Sequence, residues 1–148
     1  MTDRMELLRR EEEAWANFAK QYAGVPEERL DEPGVVPGWS TKDLVWHCAY
    51  WARFCAEALE SNTGEEWVDP FADHDDAYWD GVNAQIAQEA KVMSWQQIRD
   101  EVPSIRERVR AAVMAAPDRG EAAECFADET FLHYDEHAQE IHGFASDA

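Results

Sequence analysis

The chain has 148 residues and a formal net charge of −19, long enough for one domain with a core of its own. So acidic a surface repels phosphate backbones and anionic lipid, which excludes nucleic-acid binding through a basic face and disfavours membrane association. Seven tryptophans each bury a large area, so they favour a folded chain over a disordered one despite the charge.

No apolar run approaches the roughly 20 residues of a membrane span. Met1 to Glu13 is charged throughout and holds no apolar leader, so a cytoplasmic protein is expected. The three cysteines, Cys48, Cys55 and Cys125, form no CxxC pair, which argues against a disulfide framework or a zinc finger. They read as small buried hydrophobes. One domain over residues 1–148 is expected, with a small molecule as its partner. A homodimer is one assembly open to it.

The first helix is expected from Thr2 to Ala23. Met5, Leu8, Trp15, Phe18 and Tyr22 recur at helical spacing. Arg9, Arg10 and Glu11 to Glu13 read as its solvated face. Gly24 and Pro26 end it. Residues 24–39, rich in Pro and Gly, read as a connection with room for one turn at Glu27 to Leu30. Ser40 or Thr41 then caps a second helix to about Ser61. Ser40-Thr41-Lys42-Asp43 is a capping box with Asp in place of Glu. Leu44, His47, Cys48, Trp51, Cys55 and Leu59 form its apolar stripe, with His47 inside it.

A second irregular stretch covers 62–76. A third helix is expected over Asp75 to Ala90 and a fourth from a Ser94 cap to about Ala115, kinked near 99–103 by Pro103. Pro117 to Gly120 breaks the chain. The last helix should start between Glu121 and Thr130 and fray after Gly143. No useful strand alternation and no internal repeat is present, so the fold class is all-α, a helical bundle.

The last helix carries His133-Tyr134-Asp135-Glu136-His137-Ala138-Gln139-Glu140-Ile141. His133 and His137 share one face at i,i+4, about 5–6 Å apart at Cβ, and Ile141 continues that face toward a core. Two inward imidazoles need a partner, and a metal satisfies both. His47, on another inward stripe, supplies a third ligand. Three imidazoles with one open position describe a catalytic site rather than a closed structural one, and imidazole suits zinc, nickel, copper or iron. His74 reads as a loop surface residue, and His142 points away from the pair. GxSxG, P-loop and GxGxxG are absent. So is HExxH, because Tyr134 follows His133. Trp51 and Tyr134 could wall a pocket or sit in the core. Asp43, one turn before His47, could orient it or simply charge the first turn.

Three stretches resemble the DinB-like superfamily of bacterial helical bundles. Gly38-Trp39-Ser40-Thr41-Lys42-Asp43-Leu44-Val45-Trp46-His47 is similar to its "W-S-x-x-D-L-x-x-H" segment. His133 to Ile141 is similar to its "H-x-x-x-H-x-x-x-I". Trp79-Asp80-Gly81-Val82-Asn83 with Ser94-Trp95 resembles the ClbS/DfsB-like branch, and the second-helix segment also resembles the mycothiol-dependent maleylpyruvate isomerases. The resemblance implies an up-down-down-up four-helix bundle and a divalent metal, zinc or nickel, on His47, His133 and His137. It further implies a thiol S-transferase using mycothiol, bacillithiol or glutathione, or a hydrolase acting on a small electrophile. A non-catalytic bundle that sequesters a small molecule or toxin is the alternative, and a structural interaction protein with incidental histidines is a third reading. The isomerases have two domains and Glu where this chain has His133, a departure that speaks against an isomerase.

Overall fold

The computed structural model describes residues 3–147. They form six α-helices: α1 (Arg4–Ala23), α2 (Thr41–Ser61), α3 (Asp76–Val92), α4 (Trp95–Ala115), α5 (Gly120–Glu129) and α6 (Phe131–Ser146). A single 3-10 turn covers Glu27–Arg29. The expected start at Thr2 lies outside the described residues; α1 begins at Arg4, capped by Asp3. No described helix is long and apolar enough to cross a membrane.

Cross-helix contacts give the directions. Arg4 of α1 reaches the Met114 carbonyl of α4, and Tyr22 meets Trp95, so α1 and α4 are antiparallel. Lys42 bonds the Met93 carbonyl just before α4, and Arg108 pairs with Glu60, so α2 and α4 are parallel. Arg10 lies over Phe131 and Gln21 meets His142, so α1 and α6 are parallel. The four long helices α1, α2, α4 and α6 therefore run up, down, down and up. The shorter α3 flanks α2 in the opposite sense, through Trp46–Glu89, Trp51–Asn83 and Phe54–Trp79. One apolar cluster fills the bundle and includes Phe18, Leu44, Leu59, Ile98, Val109, Phe126 and Ile141.

Local chemistry sets the start of α2. Val36-Pro37-Gly38-Trp39 is a tight turn closed by Trp39 N–H donating to the Val36 carbonyl. Gly38 has φ +82° after Pro37, the arrangement of a type II turn, in which the third residue needs a left-handed backbone. Ser40 then caps the helix. Its Oγ accepts from the Asp43 N–H, and Asp43 Oδ2 accepts from the Ser40 N–H. Asp does close the box.

Three expectations change. Glu11 belongs to a charged run read as solvated, yet it is fully buried. It accepts from Arg106 Nε and Nη2 at 2.9 and 2.7 Å, from Arg110 Nη1 at 2.8 Å and from the Tyr134 hydroxyl at 3.2 Å. Its spacing from Ala14, Trp15 and Phe18 puts it on the inward face, and the α4 arginines neutralise it there. The expected single last helix is two, α5 and α6, broken at Thr130. Thr130 is buried and its hydroxyl donates to the Phe126 carbonyl, a side-chain bond that competes with the helical ladder. The helix also continues past Gly143 to Ser146, with Arg29 over the Phe144 ring at 4.3 Å. The α4 helix is continuous through Pro103.

Candidate metal centre

The structure brings three histidines from two helices to one point. His47 Nε2 lies 3.0 Å from His133 Nε2, and His137 Nε2 lies 3.0 Å from the same atom. The ligand atoms all fall within 4.8 Å of one another. His47 and His137 are buried, His133 half-buried. The ring of Trp39, delivered by the Pro-Gly turn, stands edge-on to His47 at 5.1 Å. Two nitrogens at about 2.0–2.1 Å from a tetrahedral ion stand roughly 3.3 Å apart, and the two pairs that include His133 Nε2 lie within a few tenths of an ångström of that spacing.

The donor chemistry points the same way. His137 Nδ1 faces Glu140 Oε1 at 2.5 Å, which requires a proton on Nδ1 and leaves Nε2 with a lone pair. His133 Nε2 has one in-plane site but meets two nitrogens. If it carried the proton, His133 Nδ1 would be a bare acceptor, and that atom is buried without a partner. His47 Nδ1 is buried without a partner as well. His133 Nε2 can therefore share a proton in line with only one of its two neighbours, which leaves one of the three Nε2 atoms unpaired. A cation at the centre would take the three Nε2 lone pairs at once, so the residues fit a metal. Burial pushes the His47 imidazole down to about 3, with His137 adding repulsion; burial also holds His133 well below its usual range, with His47 and His137 adding to it. Buried imidazoles resist charging, and neutral imidazole is the ligand form.

A cleft of 270 Å³ opens on this point, lined by His47, His133, Trp51, Phe71, Trp79, Asn83, Asp128 and Glu129. Trp51 is buried, and its indole N–H donates to Asn83 Oδ1 at 3.0 Å. Phe71 arrives from the loop between α2 and α3. Buried Asn62 anchors that loop by accepting from the Val68 N–H and donating to the Val68 and Ala58 carbonyls. Burial raises the half-buried Glu129 carboxyl to about 7, with Asp128 adding repulsion.

A sequence model of the mycothiol maleylpyruvate isomerase N-terminal domain matches residues 12–131, well over half of the chain. The chain belongs to that family. It is thereby a DinB-like protein of the mycothiol-related branch. No curated protein and no solved structure matches. The matched stretch contains His47 and stops two residues before His133, so the His133–His137 pair rests on this chain's own geometry.

The other residues singled out in the sequence of this family member divide. Trp51 lines the cleft. Tyr134 does not: it is fully buried on an adjoining side of α6, against Trp15 and Phe18 and bonded to Glu11. One residue along a helix turns the side chain by about 100°, so Tyr134 leaves the face its neighbour His133 uses. Asp43 is spent on the Ser40 cap with Lys91 3.6 Å away, and His47 Nδ1 receives no bond from it. His74 stacks on exposed Tyr78 and His142 meets Gln21, both outside the cluster. Sequence reasoning missed Glu140, Phe71, Asp128 and Glu129. Glu140 had a signal in its i+3 spacing from His137. The others had none, because a loop and a helix break place them.

Proposed function

We propose that this protein is a divalent-metal-dependent S-transferase that joins a low-molecular-weight thiol to a small electrophile, with zinc or nickel on His47, His133 and His137. The observation that carries the reading is the convergence of three imidazole Nε2 atoms at the head of a cleft large enough for a small molecule. The family name supports mycothiol as the thiol; bacillithiol and glutathione are the other candidates. A divalent ion there supplies a Lewis acid that lowers the pKa of a bound thiol or water, giving a nucleophile near neutral pH.

The chain's own residues do the rest. Glu140 fixes the ring of His137 and its Nδ1 proton. Trp39 covers His47 and limits water at the centre. Trp51, locked by Asn83, forms a rigid wall against which an electrophile can lie. Burial keeps His47 and His133 uncharged at neutral pH, each with one ring nitrogen able to offer a lone pair.

The test incubates metal-loaded protein with monochlorobimane and mycothiol, bacillithiol or glutathione in turn. Conjugation faster than in the protein-free control, lost on chelation, is expected with at least one thiol. Metal binding without conjugation by any of them would overturn the transferase in favour of a hydrolase or a sequestering protein. Glu140→Gln should weaken metal affinity about 10–100-fold, the usual effect of removing a carboxylate behind a ligating histidine. Competition titration against a chromogenic chelator measures it.

A further inference from the structure

We propose that the cleft beside the three histidines selects a cationic group, a small amine or quaternary ammonium, held between its aromatic walls and its two carboxyls. This names a ligand class for the site described above and rests on the cleft rather than on the metal. Three aromatic rings line it, Trp51, Phe71 and Trp79, with centroids 5.2 to 6.1 Å apart. Asp128 and Glu129 complete the wall on the α5 side, and no lysine or arginine is among the lining residues. An anion placed against the α5 side meets two carboxyls and no lysine or arginine. A cation meets aromatic faces within the ~6 Å over which a ring attracts it, together with carboxylates in a partly desolvated setting where charges interact more strongly.

Glu129 supports the assignment independently. It makes no ion pair with any cation of the chain among the described residues, and burial holds its carboxyl up at about 7. A carboxylate buried without a partner is costly, and an arriving cation removes that cost. The volume of 270 Å³ falls just under the ~300–1,000 Å³ of ordinary small-molecule sites, which suits a compact head group. The ring of Trp51 is held by Asn83 and that of Phe71 by the Asn62-anchored loop, so the cage is formed before the ligand arrives.

The test compares three ligands of one shape: choline, its neutral carbon isostere 3,3-dimethyl-1-butanol, and anionic 3,3-dimethylbutanoate. Binding is followed by calorimetry and tryptophan fluorescence at pH 8, where Glu129 is mostly ionised, with and without zinc. Choline should bind about tenfold tighter than the alcohol, and the carboxylate should not bind measurably. Glu129→Gln should lower choline affinity and leave the alcohol unchanged. Asp128→Asn, at an exposed position, gives a second variant with no folding risk and should act in the same direction. Equal binding of choline and the alcohol, tighter binding of the carboxylate, or no saturation by choline up to roughly 10 mM overturns the proposal. Zinc titration of the same samples separates the two readings. Choline selectivity without zinc binding removes the metal centre and keeps the cation cleft, and zinc binding without choline selectivity does the reverse.

Discussion

Replacing His47, His133 or His137 by Ala should each cost roughly a hundredfold or more in zinc or nickel affinity, because removing only the partner behind a ligand already costs about 10–100-fold. His74→Ala and His142→Ala should leave affinity unchanged, since one stacks on Tyr78 and the other meets Gln21, both away from the cluster. A second readout needs no activity. Metal that binds only the folded state raises the midpoint of thermal unfolding, so saturating zinc should shift the wild-type midpoint upward and that of the three triad variants little. Retained tight binding in His47→Ala would show that α2 contributes no ligand and would dismantle the centre.

Acid behaviour of the same site follows from burial. An unperturbed imidazole takes a proton near pH 6.5, which alone would predict metal release below about pH 6. The folded-state value of His47 is about 3, and that of His133 is also well depressed. Both groups bind more protons unfolded than folded. Stability contributed by their neutral forms is thus fully present above the unfolded value and is lost as pH falls through the interval down to the folded value. Metal release between pH 6 and 3 should therefore track loss of the fold. Circular dichroism and a metal indicator read on one sample should give coincident acid midpoints. Metal leaving well before helicity would show that the imidazoles take protons in the folded state.

The parts of this protein legible in its sequence were those governed by short-range rules. His47 could be placed inward because Leu44 and Trp51 flank it at helical spacing, and the Ser40–Asp43 box could be read from four residues. His133 and His137 followed from i,i+4 geometry on any helix. The cleft was not legible in the same way. Phe71 reaches it from a loop that owes its path to one buried residue, Asn62. Asp128 and Glu129 reach it because the chain breaks at Thr130, where no Gly or Pro announces a break. Tyr134 shows the limit of adjacency, since it neighbours a candidate site histidine in sequence and serves a different face of the helix. Glu11 shows the limit of composition. In a run of three glutamates only the position in register with Trp15 and Phe18 is buried, and its partners lie some 95 residues away on α4.

That buried glutamate carries the largest expected effect on stability. Glu11 is wholly inaccessible and holds Arg106, Arg110 and Tyr134 together, tying α1 to α4 and α6. Glu11→Ala would leave two part-exposed guanidiniums with exposed Glu12 in place of their buried partner, and the Tyr134 hydroxyl without its acceptor. Breaking a buried pair by removing one partner costs about 3–5 kcal/mol. For a chain of this size each kcal/mol lowers the unfolding midpoint by about 2–4 °C, giving a fall of roughly 10–15 °C. Tyr134→Phe removes only the bond to Glu11, which keeps both arginines, and should cost about 0.5–1.5 kcal/mol. Chemical denaturation of the two variants and the wild type gives the comparison. If Glu11→Ala costs no more than Tyr134→Phe, the arginines find water without loss, and the α1–α4 ion cluster contributes little to the fold. Glu11 bonds to none of His47, His133 and His137, so a folded Glu11→Gln protein should still bind zinc with wild-type affinity at the candidate centre, separating the helix anchor from the site.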